Sequence, residues 1–364
     1  MRDILNLTLP ELEAWMTTEL GEPRFRAVQI WQWLWQKMAR SFDAMTDVSK
    51  ACRERLAAAA VITWPTVDAV EQSADGTTKF LLRLADGAQV ETVLIPSDSR
   101  EGVRRWTQCL SCQVGCAMGC TFCATGRMGL ERNMTMGEIL GQILVARQHL
   151  GDTRPDWPVL RNLVFMGMGE PLGNLTEVLR ALQSLNHDKG LNFSPRRITV
   201  STCGLEKGLR QLGESGLAFL AVSLHAPNQE LRARLMPKAA RWPLPDLLAA
   251  LKSYPLKTRE RITFEYLLLG GVNDGLEHAR QLARLLADLK AKLNLIVYNP
   301  TEGSPYVAPS PERVLAFERC LWDRHVTAIV RKSKGAPPRR SIKFALTNRY
   351  LYVNVAPRPR SCGS

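Results

Sequence analysis

Five of the nine cysteines in this 364-residue chain fall within fifteen positions, in the stretch CLSCQVGCAMGCTFCATG (109–126). Cys116, Cys120 and Cys123 form a C-x3-C-x2-C run, with the aromatic Phe122 just before the last thiol. Three thiolates on one short loop can hold three irons of a [4Fe–4S] cluster and leave the fourth iron open to a chelating ligand. The competing chemistry is structural zinc, which needs four ligands and would draw on Cys112 as the fourth. Zinc modules usually pair two short knuckles across a longer loop, and no second knuckle follows here. No apolar run approaches the ~20 residues of a bilayer-spanning helix, and the opening MRDILNLTLPELEAWM is broken at Pro10 and carries acids. A cytoplasmic location is therefore expected. Clustered thiols there ligate metal or do redox chemistry more often than they build a disulfide framework.

The elements that must position these thiols follow from periodicity. After the cysteines the chain repeats strand, loop, helix. Candidate strands are 162–166, 197–202, 217–224, 261–269, 293–298 and 326–331, with a first strand near 104–109. A helix over TMGEILGQILVARQHLG opens on the capping box Thr135-x-x-Glu138 and stops at Gly151. This alternation predicts an α/β fold with parallel strands under helices, either a barrel or an open partial barrel of about six βα units. The unusual residues cluster at one place in that scheme. GMGEPLGN, STCG, SLHAPN, GGVND and YNP each follow the C-terminal end of a predicted strand, as do the cysteines. Catalytic groups of such barrels gather at that face.

Ahead of the barrel, residues 1–60 read as helices. Leu12, Trp15, Met16 and Leu20 share one face, and Val28, Trp31, Leu34, Trp35 and Met38 form an apolar stripe, so the stripe's tryptophans are expected in the core. Trp33 falls on the polar side and is the better candidate for a partner contact. Residues 67–96 read as a β-meander with turns at Asp75-Gly76 and Asp86-Gly87, and the linkage to the main domain is placed near 90–105. The expected organisation is a helical accessory domain (1–60), a meander (61–104), the barrel (105–335) and a basic tail (336–364). A net charge of +13 suggests a polyanionic partner. From Arg331 onward nine Lys/Arg stand with no Asp or Glu, and the stretch RRSIKFALTNRYLY suits RNA, where cations meet phosphate and rings stack on bases.

The motifs together resemble a known superfamily. C-x3-C-x2-C ahead of a βα repeat with GMGEP looks like the radical S-adenosylmethionine enzymes. More narrowly, SCQVGCAMGCTFCATG, VFMGMGEPLGN, AVSLHAPN, LLLGGVNDGLEHA, YNP and VRKSKG resemble, in order, the RlmN-type RNA adenine-carbon-2 methyltransferases over residues 22–335. The resemblance implies a partial (β/α)6 barrel, a [4Fe–4S] cluster and S-adenosylmethionine. It also implies 23S rRNA and tRNA substrates and an electron-donating redox protein. Carbon 2 of adenine is electron-poor and not a nucleophile, so a radical route is apt. In the family one S-adenosylmethionine methylates a cysteine and a second yields a 5′-deoxyadenosyl radical. This radical takes hydrogen from the methyl group, the carbon radical adds to the base, and a second cysteine releases the product through a disulfide.

Carried over by motif, the resemblance makes Cys116, Cys120 and Cys123 the cluster ligands and Cys109 the resolving cysteine. Gly169 and Glu170 hold the cofactor's amino group. Ser201, Ser223, Leu224, His225 and Asn299 match cofactor-contacting positions, and Glu91 matches the proposed proton acceptor. The family's methyl-carrying cysteine follows VRKSKG, but here Ile342 stands at its place, and Ile cannot carry a thioether. Three explanations remain open: Cys362 reaches the site instead, the tail is altered and the chain does not methylate, or the radical chemistry bypasses a thioether. The alternatives to carbon-2 methylation are a related carbon-8 methyltransferase and an inactive member that binds RNA and the cluster.

Overall fold

The computed structural model describes residues 1–98, 104–152, 159–300 and 303–331. At the start, β1 (Arg2–Asp3) precedes α1 (Leu9–Glu19), α2 (Arg24–Trp35) and α3 (Lys50–Ala59), and β2 (Ala60–Val61) returns to pair in parallel with β1. Helix α1 tolerates Pro10 because it lies in the first turn, where its missing N–H would have no intrahelical acceptor. The Thr8 amide donates to Glu11 Oε2 at 2.7 Å, closing the end of that turn. Leu12, Trp15 and Met16 are buried, as are Ile30, Trp31, Leu34 and Trp35 of α2. Trp31 and Trp35 meet edge to face with centroids 5.5 Å apart, so both are core residues. The stripe is shorter than its spacing suggests: α2 ends at Trp35, and Met38 lies beyond it in the left-handed region at φ 55°.

Trp33 departs from the expectation of an open partner contact. Its indole N–H donates to Asp47, Lys37 Nζ sits 3.7 Å from its ring centroid, and it packs half-buried against the core. Its partners come from its own chain, from residues that follow α2.

The meander consists of β3 (Thr66–Gln72), β4 (Thr78–Arg83) and β5 (Gln89–Asp98), antiparallel throughout, with both Asp-Gly turns where expected. The carboxylates make the turns: Asp75 Oδ1 accepts from the Thr77 amide at 3.0 Å and Asp86 Oδ1 from the Ala88 amide at 3.1 Å. Of the residues placed at the linkage, 90–98 and 104–105 are themselves strand, and 99–103 lie outside the described residues. β5 pairs antiparallel with β6 (Arg104–Cys109), which pairs in parallel with β9 (Leu160–Phe165), so the meander and the barrel strands share one sheet. Between β6 and β9 lie a small hairpin of β7 (Gln113–Gly115) and β8 (Leu130–Asn133), the short α4 (Ala124–Met128) inside it, and α5 (Met136–Leu150). Both halves of the Thr135–Glu138 capping box are formed, and Gly151 at φ 60° ends α5.

The alternation then runs α6 (Leu175–Asn186), β10 (Ile198–Thr202), α7 (Glu206–Ser215), β11 (Phe219–Ser223), α8 (Gln229–Leu235), α9 (Leu244–Lys252), β12 (Ile262–Leu268), α10 (Leu276–Leu286), β13 (Ala291–Val297), α11 (Pro311–Trp322) and β14 (Ala328–Arg331). The ten-stranded sheet has the order β14-β13-β12-β11-β10-β9-β6-β5-β4-β3, and its run from β6 to β14 is parallel. Seven parallel strands joined by six crossovers match the expected open arrangement of βα units. Val200, Val222, Phe264, Leu293 and Leu295 face the helices and form the core. With a side-chain period of two, Ser201, Ser223, Glu265 and Asn294 point to the other face.

Candidate active site at the strand ends

The thiol loop begins where β6 ends. The Leu110 amide donates to Val164 O at 2.8 Å, Gly167 N to Leu110 O at 3.0 Å, and Cys112 N to Met168 O at 2.9 Å, lacing the loop to the GMGE turn after β9. Gly169 is required in that turn: its φ is 103°, and a Cβ there would lie 2.6 Å from Gln113 Cβ. Beyond it, Cys123 N donates to Cys120 O at 3.0 Å, Thr121 N to Leu235 O at 3.0 Å, and Cys116 N to Gly129 O at 2.7 Å. The Cys116, Cys120 and Cys123 side chains are all buried. Cys120, Phe122 and Cys123 share an apolar cluster with Cys203, Leu231, Leu235 and Met236, whereas Cys112 packs into the main core. The donor set near the strand ends is thus the three thiols of C-x3-C-x2-C, which suits a site-differentiated four-iron cluster better than a four-ligand zinc site. Among the described residues no three His, Cys, Asp or Glu side chains are drawn together at metal-binding distance, so the fit rests on this donor set and its loop.

Glu170 is buried beside that loop. Its Oε1 accepts from the Leu172 amide at 3.1 Å and the Thr202 hydroxyl at 2.5 Å, and its Oε2 accepts from the Cys203 amide at 2.9 Å. A carboxylate offers about four acceptor positions, so three fixed donors orient it and leave capacity for an ammonium group. Cys203 lies between the carboxylate and the thiols. Burial pushes its thiol well above the ordinary value, and the charges of Glu170 and Cys120 push the same way.

Ser201 and Ser223 stand on adjacent strands with their hydroxyls 3.5 Å apart, and Ser201 donates to Glu265 Oε2 at 3.2 Å. His225 follows β11 at φ 54°, a left-handed conformation that is rare outside glycine and concentrates at functional sites. It is held there from three sides. Its amide donates to Glu265 O at 3.2 Å, its carbonyl accepts from Asn273 Nδ2 at 2.9 Å, and its Nδ1 accepts from the Leu267 amide at 3.0 Å. Its ring meets Phe122 edge to face at 5.0 Å. An Nδ1 that accepts places the neutral ring's proton on Nε2. The structure brings Gly169, Glu170 and His225 against the thiol loop, with Ser201, Ser223 and Leu224 at the ends of β10 and β11, and Asn299 lies just past the C-terminal end of β13.

Glu91 and Cys109 lie on the neighbouring strands β5 and β6, with Cys109 at the C-terminal end of β6 where the thiol loop begins. Glu91 is 1% exposed rather than solvated at an edge, and Lys79 Nζ lies 3.3 Å from it. Its carbonyl accepts from Ser111 Oγ at 2.6 Å, and that oxygen accepts from the Met168 amide at 2.8 Å. Cys109 is buried among Val93, Ile95, Val164 and Met166. Cys362 and Ile342 lie outside the described residues. Sequence reasoning missed Cys203, Arg232 and Glu265. STCG was singled out without its thiol being assigned, and the acid inside RITFEYLLL was a usable signal, since a lone charge in an apolar strand demands a partner.

A parallel βα sheet whose strand ends gather three thiols, a tethered carboxylate and paired hydroxyls defines a radical S-adenosylmethionine enzyme, and comparison with known proteins agrees. The Radical SAM superfamily matches residues 110–286, and the ribosomal RNA large subunit methyltransferase N-terminal domain matches residues 2–62. The crystal structure of a radical SAM methyltransferase from Sphaerobacter thermophilus superposes with a TM-score of 0.84 at 44% identity, covering 92% of this chain and 96% of that one. The dual-specificity RNA methyltransferase RlmN of Nitratidesulfovibrio vulgaris (strain DP4) is 78% identical over 335 residues, 92% of each chain. The protein of the same name from Geobacter sulfurreducens is 49% identical, covering 92% of this chain and 89% of its own. The chain belongs to the RlmN family, whose members work with a [4Fe–4S] cluster and S-adenosylmethionine. No helix among the described residues is long and apolar enough to cross a membrane.

Proposed function

We propose that this chain methylates carbon 2 of adenosine in 23S rRNA and in tRNA, with Cys116, Cys120 and Cys123 holding the cluster. The observation that carries the reading is the Glu170 carboxylate, fixed by three donors beside a loop of three buried thiols. Bound together, the cluster and S-adenosylmethionine supply a 5′-deoxyadenosyl radical. Glu170 and Gly169 hold the cofactor's amino group, and the Ser201 and Ser223 hydroxyls and the Ser223–His225 backbone orient the rest. Glu91, buried against Lys79, accepts the proton lost from carbon 2. Cys109, screened from water by Val93, Ile95, Val164 and Met166, resolves the protein–RNA adduct through a disulfide. Cys362 is the one cysteine after Cys320 and is therefore the candidate methyl carrier.

The N-terminal helices help to hold RNA while the strand ends receive an extruded base. An electron-donating redox protein completes the system in the cytoplasm. The relatives named above favour RlmN chemistry over the carbon-8 alternative. Anaerobic reconstitution is expected to give about four irons per chain and a brown chromophore, both lost in Cys120→Ala, and RNA treated with the wild type gains 2-methyladenosine. Stoichiometric zinc without the chromophore would overturn the cluster assignment. Cys362→Ala is expected to cleave the cofactor without forming product, and unchanged methylation by that variant removes Cys362 from the mechanism.

A further inference from the structure

Arg232 is a fully buried guanidinium with no carboxylate partner among the described residues. It projects from α8 and donates from Nη2 to Cys203 O at 2.7 Å and from Nη1 to Leu224 O at 3.3 Å and Ser223 O at 3.5 Å. Its Nε is buried without a hydrogen-bond partner. Carbonyl dipoles stabilise a cation, but a permanent charge withdrawn from water ordinarily finds an anion. Cys203, whose carbonyl takes the shortest of these bonds, shares one apolar cluster with Cys120 and Cys123. The packing agrees with that placement. Leu231 and Leu235 of the same helix lie in one cluster with Cys120, Phe122 and Cys123, and the Leu235 carbonyl accepts from the Thr121 amide between the thiols at 3.0 Å.

We propose that Arg232 is the fixed counter-charge of the iron–sulfur cluster, a buried cation on α8 that stabilises the reduced cluster. The inference rests on the reading that Cys120 ligates iron. A thiolate-bound four-iron cluster is anionic and gains another negative charge on one-electron reduction. A fixed positive charge in a poorly screened interior lowers the energy of the reduced form more than that of the oxidised form, and so raises the reduction potential. Its three carbonyl contacts also tie the charge to the backbone of Cys203, Ser223 and Leu224, so the strand ends that hold the cofactor and the charge that tunes the cluster are placed by one side chain.

The test is an anaerobic redox titration of the reconstituted full chain, followed by electron paramagnetic resonance of the reduced cluster, with no turnover required. Arg232→Gln removes the charge and keeps a donor, and Arg232→Lys keeps the charge and loses the fork. The midpoint of Arg232→Gln is expected to fall below that of the wild type, with Arg232→Lys between the two. Equal midpoints in wild type and Arg232→Gln overturn the proposal. If Arg232→Gln loses its iron, retention of iron by Arg232→Lys with a midpoint at or slightly below that of the wild type upholds the proposal, whereas loss of iron and fold in both assigns Arg232 to the carbonyl fork alone and overturns it. A wild type that binds zinc and no cluster overturns this proposal together with the ligand assignment, while a normal cluster with an insensitive midpoint overturns this proposal alone.

Discussion

The meander end and the parallel end of the sheet's inner face meet at β6 and solve the problem of buried polarity differently. At the meander end, Glu91 pairs with Lys79, and Cys109 sits among Val93, Ile95, Val164 and Met166. At the parallel end the same face carries a linked series. Ser201 bonds to Glu265, Glu265 stands in register with Asn294, and Asn294 Oδ1 accepts from Arg331 Nε at 3.0 Å and Nη2 at 2.8 Å. The difference teaches how one sheet serves two tasks. Buried hydrogen-bonded groups are costly to leave half satisfied, so the bond to Glu265 fixes the Ser201 hydroxyl. Glu91, paired with one lysine across the strands, stands apart from that series.

The largest expected effect probes the meander end. Glu91→Gln keeps the shape and removes the base, so product formation falls by roughly 10²–10⁴-fold, while cofactor cleavage without RNA continues. A drop in both by the same factor would show that Glu91 supports the strand and does no proton transfer. At the parallel end, Glu265→Ala strips the Ser201 acceptor and the carboxylate that supports the buried Arg331 charge. The expected loss is about 3 kcal/mol, read as a lower denaturant midpoint at unchanged slope. A loss within about 0.5 kcal/mol, typical of a surface change, would mean that Asn294 alone satisfies Arg331 and that no network exists.

Much of this contrast was legible in the sequence, for identifiable reasons. The thiol spacing is local, so Cys116, Cys120 and Cys123 could be read without knowing the fold. The capping box at Thr135 and the Asp-Gly turns are also short-range and formed as read. What periodicity could not supply were choices made by distant partners. Trp33 lies on the polar side of α2, yet Asp47 and Lys37 occupy it. Glu91 alternates like a surface acid, but β4 and β6 on either side of β5 bury it. Arg232 reads as one more charge on a short helix, and only the meeting of α8 with the ends of β10 and β11 shows it fully enclosed.

The smallest effect distinguishes the ends by charge rather than by hydrogen bonding. Lys292 shares the inner face of β13 with Asn294, and burial holds its pKa below the ordinary 10.5, with Arg331 and Arg261 adding repulsion. A folded-state pKa below the unfolded value means that the unfolded chain binds the proton more tightly. Charged Lys292 therefore destabilises the fold at neutral pH, and stability recovers as pH rises from the lowered folded value toward 10.5. Lys292→Met, which keeps the apolar stem, is expected to raise the denaturant midpoint at pH 7 modestly, with the gain shrinking over that alkaline window. A gain that persists undiminished at high pH would trace it to packing of the Met side chain. No gain at pH 7 would show that the polar lining accommodates a third cation beside Arg331 and Arg261, which would make the parallel end more tolerant of positive charge than the linked Ser201–Glu265–Asn294–Arg331 arrangement implies.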